Sequence, residues 1–279
     1  MKVVSLVHPN KVLCVESLDY SNPYDFTEVH KHDYFEILFI RKGGGSQLID
    51  DQSFTLKDHS VFVIHPGQVH LLKREIAEGM IIQFGKGIFA HIFPIEFHHL
   101  LFTQPQVFVS EPDFLHLYSL IEQISKIVAH QEASGLSVFK SYSYVQIILI
   151  SLIERQSVKD LKSSSIATRF LELLSVHIKD KKNVVDYMKM LYISGDTLNY
   201  HCKHVFGKTP LSLINEEVVK ETKRLMLLGK HSIVEIAYEL NFNSPSNFSS
   251  FIKKNTGKTP KQLNLYIKNL ICLIISVNL

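Results

Sequence analysis

The chain has 279 residues, of which 46% are hydrophobic, with nine prolines and twelve glycines. This length exceeds one average domain and this composition excludes a disordered or fibrous chain, so we expect two globular domains. The net charge of +3 is unevenly distributed: through Ser157 there are 12 Lys and Arg against 17 Asp and Glu, and after it 18 against 10. The second half therefore carries the positive charge expected of a domain that meets a polyanion, either a nucleic acid or an anionic membrane.

The cysteines and the apolar runs bear on the cellular compartment. Cys14, Cys202 and Cys272 are far apart and lack metal-ligand spacing, which predicts buried thiols in a reducing compartment rather than disulfides. The amino terminus is too short and too polar for a signal peptide, and no apolar run approaches the length of a bilayer span, the nearest being Leu270 to Val277. We therefore expect a cytoplasmic protein with no membrane partner.

The first part of the chain has the pattern of short β-strands. From about Cys14 to Phe84, runs of Val, Ile and Phe are broken about every 8 to 12 residues by Gly, Asp and Pro. This spacing is typical of an antiparallel barrel or sandwich. We expect it to form the body of the first domain.

Two helices are predicted after these strands. Apolar residues recur at three- and four-residue spacing over Phe114 to His130 and again over Val138 to Ile153. The two helices can pack on the strands as a hairpin, and one of them can in addition form the seam of a two-fold dimer, through the stripe on Tyr118 to Val128 or on Val145 to Leu152. Both alternatives stay open at this point.

A polar, serine-rich segment, Ser157 to Ser165, separates the two halves of the chain. Such a composition is typical of a linker between domains. We accordingly predict a first domain at residues 1–157, a linker at 158–165 and a helical second domain at 166–279.

The second half contains an internal repeat. The tetrapeptide Gly-Lys-Thr-Pro occurs at 207–210 and again at 257–260, and the same offset of fifty residues pairs Ser194 with Ser244. Apolar positions around the tetrapeptide match as well. A four-residue match alone could arise by chance, but this extended correspondence indicates two copies of one structural unit.

Each copy has the layout of a helix-turn-helix motif. A short helix and a turn are followed by a serine placed to cap a second helix, a glycine that ends it, and a proline where a further helix begins. We predict the two motifs at about 183–206 and 233–256. Between them, Leu211 to Leu228 is amphipathic and long enough for one continuous helix, which would let the motifs address neighbouring segments of the major groove.

The second helix of each motif is expected to bury one side and to present the other to DNA. Asparagine can read adenine through two hydrogen bonds, while serine, threonine and lysine reach bases or phosphates. Any single one of these residues can equally belong to a solvated helix surface, and neither helix has the arginine that reads guanine strongly. The candidate DNA-binding residues are Asp196, Thr197, Asn199, Tyr200 and Lys203 in the first motif and Ser246, Asn247, Ser249, Ser250 and Lys253 in the second.

The stretch 183–263 resembles the DNA-binding domain of AraC/XylS-type bacterial transcription regulators. The resemblance rests on Ser194 and Leu198 followed by Phe-Gly-Lys-Thr-Pro at 206–210, on the linking helix, and above all on the string from Ser232 to Pro260. It implies a sensory domain ahead of the DNA-binding domain. That order agrees with the charge distribution.

Four polar residues of the first domain form a further pattern. His30, His32 and Glu36 stand as H-x-H-x3-E, and His70 follows a Pro-Gly turn. The pattern resembles the cupin-type sensory domains of the same regulators and also the metal-binding pattern of cupin enzymes. These residues could hold Fe, Mn, Ni or Zn, line a pocket for a small ligand, be vestigial, or be ordinary core residues. We expect no resident metal or other cofactor; if a metal binds, these four residues are the expected ligands.

The predicted fold class is α+β, with an N-terminal antiparallel, cupin-like β-barrel and helical hairpin followed by an all-α domain of two helix-turn-helix motifs joined by a helix. The predicted function is that of a sequence-specific DNA-binding transcription regulator, not an enzyme, controlled by a small ligand or by dimerisation through the first domain. Two alternatives stay open: a metal-dependent cupin enzyme with an accessory DNA-binding tail, and a basic half that is a protein-interaction module. The expected partners are double-stranded DNA, a small-molecule effector, a second copy of the chain and RNA polymerase.

Overall fold

The computed structural model describes residues 3–4, 13–18, 28–93, 105–129, 135–155 and 164–276, with the backbone alone at 3–4, 90, 91, 135 and 270–276. The described residues form two compact units, one that ends at residue 155 and one that begins at residue 164. Of the predicted linker, 158–165, only Ser164 and Ser165 are described. Ser165 is the first residue of a helix that Ser164 caps.

Two β-sheets make up most of the first unit. Their described strands are β1 (Val3–Val4), β2 (Leu13–Ser17), β3 (His30–His32), β4 (Phe35–Lys42), β5 (Gly45–Ile49), β6 (Gln52–Thr55), β7 (Ser60–Ile64), β8 (Val69–Arg74), β9 (Glu78–Phe84) and β10 (Gln106–Phe108). One sheet has the order β1-β3-β8-β5-β6 and the other the order β10-β7-β4-β9-β2. Neighbouring strands are antiparallel, as predicted, except β1 and β3, which are parallel.

The helices of the first unit that the structure describes are α1 (Lys86–Ile92), α2 (Glu111–Ala129) and α3 (Gly135–Glu154). The two predicted helices are confirmed as α2 and α3, which contact each other. Each predicted dimer seam contains residues that are fully buried inside the unit, among them Ile121 and Ile124 on α2 and Val145 and Leu149 on α3. Because the core of the unit already covers these side chains, neither stripe is available to a second copy as predicted.

Strand β4 lies at the centre of its sheet, and its residues Phe35 to Ile40 are all buried. Leu38 and Ile40 belong to a core cluster that also contains residues of the other sheet, whereas the ring of Phe39 lies 5.7 Å from that of Phe114 on α2. The strand is thus covered on both faces, which explains its nearly continuous apolar run. Alternate residues share a face, so the carboxylate of Glu36 points between the sheets, on the side of Leu38.

The predicted barrel is not closed. The two sheets share no ladder of hydrogen bonds among the described strands, although they face each other across a common core that includes Leu38, Ile49, Leu56 and Phe62. Closure needs a continuous ladder around all strands. Among the described residues β1 has two, β10 three and β6 four, so the described strands at three of the four sheet edges offer few backbone groups for a bridging ladder.

Helix α3 corrects the expectation that no segment approaches the length of a bilayer span. Its residues Leu136–Glu154 have a mean hydropathy of 1.5, so by length and composition this helix could cross a membrane. Of this apolar segment, 33% is buried inside the protein. Core helices of soluble domains pass the same test, and the buried face of α3 packs in the core of the first unit like such a helix.

The second unit is helical throughout its described part. Its helices are α4 (Ser165–His177), α5 (Val184–Leu191), α6 (Gly195–Phe206), α7 (Pro210–Leu227), α8 (Ile233–Glu239), α9 (Pro245–Thr256) and α10 (Pro260–Ser276). The helix pairs of the two predicted motifs are α5 with α6 and α8 with α9. The predicted linking helix is confirmed as α7, which at about 1.5 Å per residue is roughly 27 Å long.

Local sequence signals explain where α6 and α9 begin and end. Ser194 Oγ accepts a hydrogen bond from the backbone N–H three residues later, and Ser244 Oγ does the same, as predicted for N-caps. Gly207 and Gly257 follow the helices with φ of 67° and 71°, a left-handed conformation in which a Cβ would be strained. The two copies are therefore delimited by the same local chemistry.

The core of the second unit joins its helices around α7. Phe170 of α4, Tyr187 of α5, Leu198 of α6 and Ile214 of α7 belong to one buried cluster. The Tyr187 hydroxyl donates a hydrogen bond to the carbonyl oxygen of Lys181 at 2.8 Å, which satisfies the one polar group that this ring carries into the core. The first motif is thus held on a packed support.

Candidate functional site

Helix α6 has a buried face and an outward polar face. Leu198 and Cys202, four residues apart, are fully buried and anchor the helix on the core. Asp196, Tyr200 and Lys203 lie on the opposite side and are exposed, Tyr200 by 64%. The outward face therefore presents a carboxylate, a phenol and an ammonium group to solvent.

Two of the predicted residues of α6 are less accessible. Asn199 is half-buried at the edge of the outward face, and Thr197 is half-buried beside the N-cap. The Thr197 hydroxyl lies 2.8 Å from Ser194 Oγ, to which the Thr197 N–H also donates. The hydroxyl of Thr197 is thus engaged in the cap of the helix.

Sequence reasoning missed His204 as a member of the outward face of α6. Its side chain is exposed. The ring of His204 stacks on that of Tyr200, with centroids 5.8 Å apart and an interplanar angle of 6°. The signal for His204 was its spacing of four residues from Tyr200, which places the two on one side of a helix.

Helix α9 repeats the arrangement of α6. Phe248 and Ile252 are fully buried and anchor it. The predicted residues on its other side are Ser246, Asn247, Ser250 and Lys253, which are exposed, and Ser249, which is half-buried. This face is dominated by small hydroxyl groups and ends in two lysines, Lys253 and Lys254.

An ion-pair network connects three segments of the second unit. Lys179, which follows α4, binds Glu239 of α8 with Nζ to Oε1 at 2.5 Å and lies 3.9 Å from Glu221 of α7. Arg224, also on α7, lies 3.5 Å from Glu221 and 3.2 Å from Glu217. Glu221 is buried, so its pairing is screened less than an exposed pair would be. The network thus ties the segment after α4 to α7 and α8.

A second group of polar side chains lies between the sheets of the first unit. His32 on β3 and His70 on β8 come from one sheet and Glu36 on β4 from the other. All three are buried, and one ligand atom of each lies within 4.8 Å of the others. His30 lies beside them, its ring centroid 4.3 Å from that of His70, and its Nδ1 is 3.1 Å from the carbonyl oxygen of Glu28. The structure thus brings three of the four predicted residues together and places His30 next to them.

Two buried glutamines contact this group, and sequence reasoning missed both. Gln83 on β9 is paired with Glu36 in the sheet, and its Nε2 donates to Glu36 Oε2 at 2.9 Å. Gln47 on β5 has Nε2 3.3 Å from His70 Nδ1. The available signal was a lone amide within an otherwise apolar strand, as in the run Gly-Met-Ile-Ile-Gln-Phe that ends β9.

Burial governs the protonation of the group. It lowers the pKa of His32 to about 3, with a smaller contribution from the charge of His30, and it lowers the pKa of His70 well below the usual value. Burial also raises the pKa of Glu36 to about 7, against the opposing effect of the hydrogen bond from Gln83. At neutral pH both imidazoles are therefore neutral, so each has a ring nitrogen with a free electron pair.

Comparison with known families matches both units. The model of the AraC-like ligand binding domain matches residues 13–84, and the model of a Helix-turn-helix domain matches residues 187–264. The first match covers strands β2 to β9 and with them the buried group of His32, Glu36 and His70. The second match contains α6, α7, α8 and α9.

Similar proteins include curated regulators and solved structures. The HTH-type transcriptional activator RhaS of Escherichia coli O6:H1 is 22% identical over 247 residues, which are 86% of this chain and 87% of RhaS. The structure of ToxT from Vibrio cholerae O395 has a TM-score of 0.42 and 15% identity, covering 91% of this chain and 97% of that one. An unsaturated fatty acid bound ToxT gives a TM-score of 0.41 at 16% identity, covering 92% and 95%. With a ligand-binding domain of the AraC type followed by a helix-turn-helix domain, and with regulators of that architecture as relatives, the chain belongs to the AraC/XylS family of DNA-binding transcription regulators.

Proposed function

We propose that α6 and α9 are the two recognition helices of this regulator and that the first unit controls how they engage DNA. The observation that carries the proposal is the duplicated arrangement itself. A capped helix with a buried anchor and a polar outward face occurs twice, fifty residues apart, in the half of the chain that carries the positive charge. Such pairs address successive segments of one face of the duplex.

The two faces have different chemistry, which we propose divides their roles. The face of α6 offers Asn199, suited to adenine, and Asp196, whose carboxylate can accept from cytosine N4. The face of α9 offers serines and two lysines, which suit phosphate contacts. Without arginine on either helix, base discrimination rests on a few contacts of α6, so we expect modest specificity that favours A·T pairs.

Substitutions on α6 are expected to separate base contacts from phosphate contacts. A duplex is first selected from a random library by the wild-type protein. Asn199→Ala is then expected to weaken binding of that duplex by about 1–3 kcal/mol, roughly 5- to 150-fold, and to relax preference at one position. Lys203→Ala is expected to weaken all sequences alike and to lower the slope of log K against log salt by about 1. Fluorescence anisotropy over a salt series measures both effects.

The matched control is Lys57→Ala, which removes an exposed lysine from the first unit. It is expected to leave affinity and salt slope unchanged. If no duplex is enriched over random DNA, or if Asn199→Ala and Lys203→Ala both bind like the wild type, α6 is not a recognition helix. Absence of any salt-dependent binding would instead favour a protein-interaction role for the basic half.

We further propose that the regulator works as a homodimer through the outward side of α3. This side carries an interrupted apolar stripe: Leu136, Phe139, Ile147 and Ile150 are exposed, the last two by 44% and 41%, and the exposed Ser143 lies between the two pairs. Exposed apolar residues that share one face of a helix mark an interaction surface. A second copy of the same helix across a two-fold axis would bury the stripe against itself, with the exposed Lys140 beside it. Control by a small ligand or by dimerisation, and contact with RNA polymerase as in an activator, belong to the same proposal.

If the proposed dimer forms, substitutions in its interface are expected to lower the mass of the sedimenting species. Ile147→Glu combined with Ile150→Glu is expected to convert a dimer at micromolar concentration to a monomer, because two charges per chain would have to be buried in the seam. Sedimentation velocity measures the species directly. Leu115→Glu, an equally exposed apolar position on α2, is the control and is expected to remain dimeric. A wild-type chain that sediments only as a monomer at this concentration contradicts the proposal.

A further inference from the structure

The buried group between the sheets has a property that neither an ordinary core nor a hydrogen-bonded polar network explains. The ring nitrogens Nε2 of His32 and Nε2 of His70 are both buried and have no hydrogen-bond partner in the structure. A buried polar atom left without a partner costs about 1–3 kcal/mol. One ring nitrogen of each histidine and one oxygen of Glu36 lie within 4.8 Å of one another, and the unpartnered His32 Nε2 is 4.0 Å from Glu36 Oε2. Three potential ligand atoms therefore converge on one point between the sheets.

The proton positions favour a cation at that point. His32 Nδ1 lies 2.8 Å from the carbonyl oxygen of Tyr34, which can only accept, so Nδ1 carries the proton and Nε2 has the electron pair. The ring of Tyr34 stacks on that of His32 at 3.9 Å between centroids and holds its orientation. A backbone carbonyl that receives the distal N–H of a histidine is the usual support of a metal-ligating imidazole.

The protonation of His70 depends on the orientation of Gln47. Gln47 Nε2 lies 3.3 Å from His70 Nδ1 and donates to the carbonyl oxygen of Leu48 at 3.3 Å, while its Oε1 is buried without a partner. Metal binding through His70 Nε2 requires half a turn of this carboxamide, so that Oε1 accepts from His70 Nδ1–H and the bond to Leu48 is lost. Gln83 supports the third member, since it donates to Glu36 Oε2. Each of the three side chains thus has a partner that orients it.

The distances suit an ion if the side chains move inward. His32 Nε2 and Glu36 Oε2 are 4.0 Å apart. Bonds to imidazole and carboxylate are about 2.0–2.2 Å in transition-metal sites, so two ligands at tetrahedral angles on one ion are roughly 3.3–3.6 Å apart. The full set, within 4.8 Å, closes around an ion if side chains move by about an ångström. An anion or a neutral apolar ligand would leave the electron pairs unsatisfied.

We infer that His32, Glu36 and His70 bind a divalent transition-metal ion in the first unit and that this ion is an effector of the regulator. Two imidazoles and one carboxylate suit Fe, Mn, Ni, Co or Zn in the divalent state. Three protein ligands leave a position on the ion for water or for an anionic metabolite that chelates it. This replaces the expectation of no resident metal. The site stands on its own geometry, and only its regulatory effect rests on the proposed function.

Titration of the full-length chain with Co²⁺ tests the site. Protein purified with chelator and then dialysed is expected to bind one Co²⁺ per chain and to show visible d–d absorption from nitrogen and oxygen ligands. His32→Ala and, separately, His70→Ala are expected to lower the affinity by roughly 100-fold or more, while Glu36→Gln, which keeps shape and removes charge, is expected to lose at least 10-fold. His116→Ala, on the exposed side of α2, is the control for adventitious surface histidines and is expected to bind normally.

Far-UV circular dichroism identifies variants that do not fold, and Glu36→Gln keeps the test valid if an alanine variant does not. Binding of less than one ion per chain by the wild type, or one-to-one binding that survives in the folded His32→Ala and Glu36→Gln variants, overturns the site. For the effector role, Zn²⁺ at saturation is expected to change affinity for the selected duplex at least fivefold relative to chelator. Unchanged affinity with a filled site overturns that role.

The two proposals fail in distinguishable ways. Lys203→Ala is expected to weaken DNA binding and to retain one Co²⁺ per chain, whereas Glu36→Gln is expected to lose metal and to bind DNA with an affinity that no longer responds to Zn²⁺. A chain that binds DNA but no metal refutes this inference alone. A chain that binds metal but no DNA refutes the proposed function of α6 and α9 and leaves the metal site standing.

Discussion

Replacement of Leu198 by alanine is expected to lower the free energy of unfolding of the second unit by about 2–5 kcal/mol. Leu198 is fully buried on α6 and shares a cluster with Phe170, Tyr187 and Ile214 from three other helices. Truncation would remove its transfer free energy and leave a cavity that those rings cannot fill. Because the same side chain anchors α6, we expect DNA affinity to fall as well. Urea unfolding of the full chain, followed by hydrogen exchange of peptides from α4 to α7, measures the loss.

The matched control is Leu211→Ala. Leu211 is the second residue of α7 and 53% exposed, so the same change of side chain removes little buried surface. Its effect is expected within about 0.5 kcal/mol of zero. Equal losses at Leu198 and Leu211 would contradict the packing of α6 on α7, and an intact DNA affinity in a strongly destabilised Leu198→Ala would contradict the role of α6.

Gly79→Ala is expected to destabilise the first unit by roughly 3 kcal/mol, at the upper end of overpacking effects. Gly79 is opposite Ile40 in the pairing of β9 with β4. A Cβ there would lie 2.0 Å from the carbonyl oxygen of Phe39 and 3.0 Å from its carbonyl carbon, both backbone atoms that cannot turn aside. The Gly79 carbonyl also accepts from the N–H of Leu18 at 2.8 Å. The strands must therefore separate locally, which thermal unfolding and hydrogen exchange of β4 and β9 would show.

Gly87→Ala tests whether that effect comes from the close approach of strands. Gly87 lies in α1, and a Cβ there meets nothing within 4 Å. Alanine is a better helix former than glycine, so this substitution is expected to be neutral or to stabilise by up to about 1 kcal/mol. If Gly79→Ala were as well tolerated as Gly87→Ala, the register of β4 against β9, and with it the pairing of Glu36 with Gln83, would be wrong.

The DNA-binding half could be predicted from sequence because its signals are local. Ser194 and Ser244 each accept a hydrogen bond from the backbone N–H three residues later, and Gly207 and Gly257 end the same two helices. Each of these signals acts within about one helical turn of the residue concerned. Because the unit is repeated after fifty residues, each of these capping and ending residues occurs twice. The sequence did not predict which side chains of α6 are accessible to DNA. The Thr197 hydroxyl is engaged with the N-cap Ser194, whereas His204 stacks on Tyr200 on the outward face.

The architecture of the first unit depends on contacts between residues far apart in the chain. The pattern of His30, His32, Glu36 and His70 suggested one site with four equal members. Cross-strand register and the packing of two sheets decided that three converge, since Glu36 comes from the second sheet and His30 is turned toward Glu28. The same long-range packing buried both predicted dimer seams and left the opposite side of α3 exposed.

The paired helix-turn-helix architecture, its caps and its spacing were thus determined by the sequence alone, because helix periodicity and capping act over three to four residues. The open arrangement of two sheets, the metal-ligating group between them and the free face of α3 were decided only by the tertiary structure. Whether a polar atom or an apolar side chain has a partner depends on the residues that pack against it. Those residues come from distant parts of the chain, so only the complete fold decides it.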